Sequence, residues 1–231
     1  MAKLVQKSGY IKSGKASGYM RYIATREGVE KLVGNGAVTK GQRELIQKLL
    51  TDFPDAAELF EYEDYCKTPT LGTASAFIGM ALDANIHEID SESGYMQYIA
   101  TRPRVQKRGT HGLFSSATAV DLTSAMSELE AHEGNVWTII YSLRREDAAR
   151  LEYDNADAWR TLLMENAPTL AKSMKISLDN FHWYAAFHDE GHHPHIHMMV
   201  WSDDPKEGFL TKDGIAAMRS KLTNAIFRDE M

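Results

Sequence analysis

Five of the nine histidines lie within ten residues: His188, His192, His193, His195 and His197. The flanking segments NFHWYAAFH and HIHMMVWS read as two strands joined by a tight DEGHHP turn. Side chains alternate faces along a strand, so His195 and His197 project to the same side. A short hairpin sets His188, at the end of the preceding strand, across from them. Three imidazoles meeting at one point, with coordination positions left for water or substrate, form a catalytic metal site rather than a closed structural one. Imidazole suits Zn, Mn, Ni or Co, so the ligand set does not select the metal. Asp189 is placed to orient a ligand histidine from behind. His192 and His193 fall in the turn, where at least one is expected to face solvent.

A second set of reactive groups comes from a repeated phrase, SGYMRYIATREG at 17–28 and SGYMQYIATRPR at 93–104. Tyr19 and Tyr22 are spaced i, i+3 on an expected helix and share a face. A free phenol titrates near ~10 and needs a metal, a base or cations nearby to act as a nucleophile at neutral pH. Lys12, Arg21 and Arg26 are the cations at hand. Tyr98, in the second copy, is the rival nucleophile. There Pro103 replaces the Glu-Gly of the first copy and is expected to end the helix after Thr101, whereas the first copy directly follows the opening strand, which favours Tyr22. Packing of the tyrosines onto a sheet is the structural alternative.

Charge points to the partner. The net charge is −6, yet the first fifty residues are rich in Lys and Arg, and Arg102, Arg104, Lys107 and Arg108 form a second basic cluster. Both clusters adjoin the tyrosine phrases, as a phosphate-binding surface would. Arg144 and Arg145, after the strand VWTIIYSL, either clamp phosphates or form a solvated edge. Trp183, Trp201 and Tyr184 either stack on unpaired bases or pack the core, and His111 either meets DNA or caps a turn. With a phosphodiester as substrate, an attacking water makes a hydrolase, and an attacking tyrosine makes a phosphotyrosyl enzyme that conserves the ester bond for rejoining. A non-catalytic module with a structural metal is the remaining class.

The elements that must position these groups follow from periodicity. An opening strand lies in 3–12, two short helices broken at Pro54 in 39–68, and a helix in TASAFIGMALDANI. A helix then starts near Asp121, a buried strand follows in VWTIIYSL, and ADAWRTLLMENAPTLAKSMK is helical with an interruption at Pro168. The histidine hairpin and a closing helix from GFLTKDGI end the chain. The order implies an α+β fold with an antiparallel sheet covered by helices. No stretch reaches the ~18–20 apolar residues of a membrane helix, no apolar signal segment opens the chain, and the single Cys66 excludes internal disulfides.

HDEGHHPHIHMMV resembles the third motif of the MobP-type conjugative relaxases, an HxD followed by HPHxH and apolar residues. YIATREG resembles their first motif, a tyrosine on the helix after the opening strand followed by an apolar and a basic residue with Gly. From VWTIIYSLRREDA through HPHIHMMVWS to GFLTKDGI the chain is similar to the MobL branch, found on mobile elements of Gram-positive bacteria. The resemblance covers most of the chain and places it in the HUH endonuclease superfamily. It implies a central antiparallel five-stranded ferredoxin-like HUH sheet flanked by helices, in a single relaxase domain with a mostly helical insertion at about 37–92. It implies His188, His195 and His197 as ligands of a divalent metal, Mn or Mg before Zn, Ni or Co, and Tyr22 as nucleophile. It further implies single-stranded DNA carrying an origin-of-transfer nick site, a covalent 5′-phosphotyrosine, accessory relaxosome proteins, a coupling protein and a bacterial cytoplasm. A replication initiator of the same superfamily is the nearest alternative.

Overall fold

The computed structural model describes residues 3–10, 36–85, 96, 99–100, 105–107, 111–189 and 193–228. β-Branched and aromatic residues form its strands: β1 (Val5–Tyr10), β2 (Leu113–Phe114), β3 (Trp137–Ser142), β4 (Phe181–His188) and β5 (His195–Ser202). They make one sheet in the order β1-β3-β5-β4-β2, antiparallel throughout. Among the described residues the helices are α1 (Lys40–Asp52), α2 (Phe60–Lys67), α3 (Leu71–Asp83), α4 (Leu122–Glu130), α5 (Arg145–Arg150), α6 (Ala156–Ser173) and α7 (Lys212–Ile226). The fold is α+β, with the five-stranded antiparallel sheet that was expected.

Alternation divides the sheet into two faces. Ile139 and Tyr141 of β3, Trp183, Ala185 and Phe187 of β4, and Ile196, Met198 and Val200 of β5 join one buried cluster. That cluster continues into Trp159, Leu162, Leu163 and Leu170 of α6 and Met218, Leu222 and Ile226 of α7. Trp159 is 0% exposed and its Nε1–H donates to the Tyr153 carbonyl at 2.8 Å, so its indole is both buried and satisfied. The other face carries Thr138, Ile140, Ser142, His188, His195 and His197. β5 is buried along its whole length because both of its faces are covered.

Local capping explains most helix boundaries. Asn155 caps α6 by accepting from Ala158 N at 2.9 Å, and Asp121 caps α4 by accepting from Ser124 N at 2.8 Å. Pro168 does not interrupt α6, contrary to expectation. It sits on the exposed side of the helix while Leu163, Asn166, Leu170 and Ala171 hold the buried side. The carbonyl it leaves without a donor therefore faces water, and packing carries the helix through.

β2 and α5 escape periodicity. β2 has two residues inside a turn-like sequence and exists because Leu113 and Phe114 pair with Ala186 and Ala185 of β4. The loop after it is tied down twice. His111 accepts from Leu113 N through Nδ1 at 3.1 Å and donates through Nε2 to the Val120 carbonyl at 3.2 Å. Arg160 of α6 donates to the carbonyls of Ser115 and Ser116 at 2.8 and 2.7 Å. Both ring nitrogens of His111 are thus spent on the loop, which decides between its two expected roles in favour of the cap.

The chain forms two compact units, Met1–Ile11 with Glu92–Met231, and Lys12–Ser91. The second holds α1, α2 and α3, with a 3₁₀ turn at Pro54–Glu58 where the sequence predicts the break. Capping boxes at Thr39/Gln42 and Thr70/Thr73 start α1 and α3. Ile46, Leu49, Phe60, Phe77 and Leu82 are buried within this unit.

After β5 the chain turns through Gly208, whose φ of 79° lies in the left-handed region that favours glycine. Its carbonyl accepts from Trp137 Nε1 at 2.6 Å. Glu207 beside it accepts from Ser202 Oγ at 2.7 Å, Ser177 N at 3.2 Å and Asn180 Nδ2 at 3.3 Å, joining three segments at the end of the sheet. The Ser202 hydroxyl, followed by the Ser177 amide and the Asn180 amide group, holds the Glu207 carboxyl below its ordinary 4.5. A depressed carboxyl contributes its full stabilisation above the unfolded value and loses it as pH falls through the folded one. Thermal melts from pH 7 to pH 3 are expected to show a lower Tm for Glu207→Ala at pH 7, with the gap to wild type closing below pH 4.

Candidate metal centre

The hairpin register builds the centre. His188 is the direct partner of His195 across the β4–β5 ladder, and His197 is the partner of Ala186, one step further along the same face. Ring centroids are 4.7 Å apart for His188–His197, 5.0 Å for His195–His197 and 5.2 Å for His188–His195. One nitrogen of each ring falls within 4.8 Å of the others. All three residues are 0% exposed.

Backbone carbonyls set the tautomers. His188 Nε2 lies 2.8 Å from the Ile99 carbonyl, and His195 Nδ1 lies 3.0 Å from the His193 carbonyl. A carbonyl only accepts, so each of these ring nitrogens carries the proton. The lone pairs are thereby assigned to His188 Nδ1 and His195 Nε2. Among the described residues, Nδ1 of His188 and Nε2 of His197 are buried and accept no hydrogen bond. Buried lone pairs brought together, with an N–H fixed by a carbonyl on the far side of the ring in His188 and His195, are what a cation site requires. The donor set fits a divalent transition ion with positions left open for other ligands.

Several residues singled out in the sequence are used differently. Asp189 follows β4 by one residue, so alternation turns it away from His188. Its Oδ1 accepts from Arg145 Nη2 at 2.5 Å and its side chain is 57% exposed, which removes it from the histidine support expected of it. The carbonyls of Ile99 and His193 do that work, and no sequence signal marks a carbonyl. His193 is buried, and His192, the other turn histidine, lies outside the described residues. Trp183 packs edge-on against Phe114 on the helix side of the sheet. Trp201 is 1% exposed and stacked between His182 and Tyr184, at centroid distances of 5.7 and 5.5 Å. Both indoles are core, closed to a nucleobase. The Tyr184 hydroxyl donates to Glu128 at 2.8 Å, and burial followed by that hydrogen bond raises its phenol. Lys107 is exposed, and Arg144 is partly exposed at the N-terminus of α5. Lys12, Tyr19, Arg21, Tyr22, Arg26, Tyr98, Arg102, Arg104 and Arg108 lie outside the described residues.

The model of the MobL relaxases matches residues 1–231, the whole chain. No curated protein and no solved structure matches it. The chain belongs to the MobL relaxases, a family of DNA relaxases of conjugation that act on single-stranded DNA at an origin of transfer.

Replacing His188, His195 or His197 by alanine is expected to weaken Mn binding in calorimetry by more than the ~10–100-fold typical of losing a group that merely supports a ligand. Affinity of the wild-type chain is expected to fall as pH drops below ~6.5, where imidazoles protonate. His111→Ala serves as the contrast: unchanged Mn affinity, with stability lower by about 1–3 kcal/mol in denaturant melts because the buried Leu113 amide and the partly buried Val120 carbonyl lose their partner.

Proposed function

We propose that this MobL relaxase nicks and rejoins one DNA strand at a plasmid or integrative-element origin of transfer, with Tyr22 as nucleophile and a divalent ion, Mn or Mg before Zn, Ni or Co, held by His188, His195 and His197. The observation that carries this reading is the convergence of three buried histidines with two tautomers fixed by carbonyls. Bound there, the ion supplies Lewis-acid stabilisation of charge on a phosphodiester oxygen. Tyr22 Oη forms the new bond to phosphorus as the bond to the 3′-oxygen breaks. The phenolic proton leaves to a base or water, and the 3′-oxygen takes up a proton to give a free 3′-hydroxyl. The 5′-phosphotyrosine keeps the ester energy, so the same atoms run in reverse to reseal the strand.

The phenol needs help to ionise near neutral pH, and Lys12, Arg21 and Arg26 provide the neighbouring positive charge. Arg102, Arg104, Lys107, Arg108 and Arg144 track the DNA backbone. Tyr19 and Tyr98 are the alternative nucleophiles. The helical unit is an insertion in the relaxase domain, and the protein works in the bacterial cytoplasm with accessory relaxosome proteins and a coupling protein.

Labelled single-stranded origin DNA incubated with protein and Mn, then run on a denaturing gel, is expected to show a covalent adduct that Tyr22→Phe abolishes. An adduct that persists there and disappears in Tyr98→Phe or Tyr19→Phe moves the nucleophile to that residue. Cleavage without any adduct shows that water attacks and sinks the covalent reading.

A further inference from the structure

Residues in and just after the second repeated phrase, 93–104, meet the metal centre from the side of β4 that faces away from β5. That edge of β4 has two successive partners. Leu113 and Phe114 of β2 pair with Ala186 and Ala185, and past them Val105 stands opposite His188 in an antiparallel bridge. Gln106 N donates to the Phe187 carbonyl at 2.9 Å. Ile99, earlier in the same segment, offers the carbonyl at 2.8 Å from His188 Nε2. His188 is therefore held to this segment both through its backbone and through its ring.

The ring contact depends on where the Ile99 carbonyl stands. Hydrogen bonds weaken steeply as their angle closes, so a displaced carbonyl no longer decides which nitrogen of His188 carries the proton. A main-chain oxygen has no rotamer of its own, and its place follows from the ties on either side. The Ala100 carbonyl accepts from Gly112 N at 2.8 Å. Further along, Gln106 Oε1 accepts from Ala156 N at 2.5 Å. Ala156 opens α6, where the first amides have no partner within the helix. Asn155 serves Ala158 N, and Gln106 serves Ala156 N. Ile99, Ala100 and Val105 have apolar side chains, so Gln106 supplies the side-chain tie among the described residues from 99 to 106. Gly112 lets the segment lie close, because a Cβ there would overlap Val105 Cγ2 and meet the Gln106 carbonyl at 3.0 Å. We propose that Gln106 is a positioning residue of the metal centre: it anchors the segment to α6, so that the Ile99 carbonyl keeps the proton of His188 on Nε2 and leaves Nδ1 for the ion. This rests on the metal reading above, and it gives the second repeated phrase a task distinct from nucleophilic attack.

The test reads His188 directly. Nitrogen NMR of the metal-free full chain, isotopically labelled at histidine, reports which ring nitrogen bears the proton, and calorimetry reports Mn affinity. The wild-type chain is expected to show His188 protonated on Nε2. Gln106→Ala is expected to show both tautomers at His188, an unchanged His195, and Mn binding weaker by about 2–10-fold, the worth of one ordinary hydrogen bond. Gln106→Glu keeps the acceptor and retains the wild-type His188 signal. Asn155→Ala removes a different cap from the same helix end; it is expected to lower Tm and leave the His188 signal alone. A wild-type His188 signal in folded Gln106→Ala overturns the assignment. A mixture of tautomers in Asn155→Ala overturns it too, since the effect then belongs to the helix and not to the segment. Should circular dichroism show Gln106→Ala unfolded, Gly112→Ala displaces the same segment through Val105 and decides by the same signal. If the wild-type chain binds no Mn, the metal reading fails separately, and the His188 signal still decides whether Gln106 positions the ring.

Discussion

The pairing of His188 with His195 across the central hairpin is the constraint on which the rest of this protein depends. A slip of one residue would turn His188, or His195 and His197, into the helix-packed core and bring Phe187 or Ile196 and Met198 out to replace them. The register is held from both ends. Beyond the histidines, Leu143 N donates to the Pro194 carbonyl at 3.2 Å and Gln106 N donates to the Phe187 carbonyl at 2.9 Å. At the far end, the Glu207 carboxylate gathers Ser177, Asn180 and Ser202. The large residues of α6 and α7 enforce the same choice, because only one set of alternate side chains fills the space they leave.

Burying three imidazoles close together is favourable only when their donors are matched and their lone pairs have a use. Carbonyl groups meet the first condition with less freedom than a side-chain carboxylate would have, since the backbone is already fixed by pairing. Asp189, one residue beyond His188, illustrates the alternative: it is exposed and joined to Arg145 in a surface pair of the kind that contributes ~0–1 kcal/mol. The rigid support comes instead from Ile99 and His193.

The histidine-bearing face is not uniform. Around the three histidines it mixes Ser142 with the apolar Ile140 and Ala186, and Lys7 lies toward the β1 edge. At the other end of β4 and β5 it closes into packed aromatic rings, with Trp201 between His182 and Tyr184. There the carboxylates of Glu128 and Asp203 flank His182, at 3.8 and 2.7 Å. A polyanion is repelled by such a fringe and drawn to a cationic one. One face therefore combines a histidine-bearing end with an end devoted to packing, although both lie on the same two strands.

Much of this was legible in the sequence because it is local. Alternation placed His195 and His197 on one side, the six-residue turn brought His188 opposite them, and β-branched runs marked β3. Charge patterning and the HPHIH phrase pointed to phosphodiester chemistry before any fold was known. What escaped was whatever depends on a distant partner. β2 is a strand only because β4 lies beside it, α6 runs through Pro168 because its other side is packed, and Trp183 and Trp201 are core because α6 and the aromatic neighbours enclose them. The support of the histidines came from carbonyls of Ile99 and His193, which every residue possesses and no pattern distinguishes. Sequence by itself determined which side chains could bind a metal and on which face, since a period of two is a property of the strand. Tertiary structure alone decided which nitrogen of His188 and of His195 is left to bind it, since that depends on which backbone atoms the fold brings to the other side of each ring.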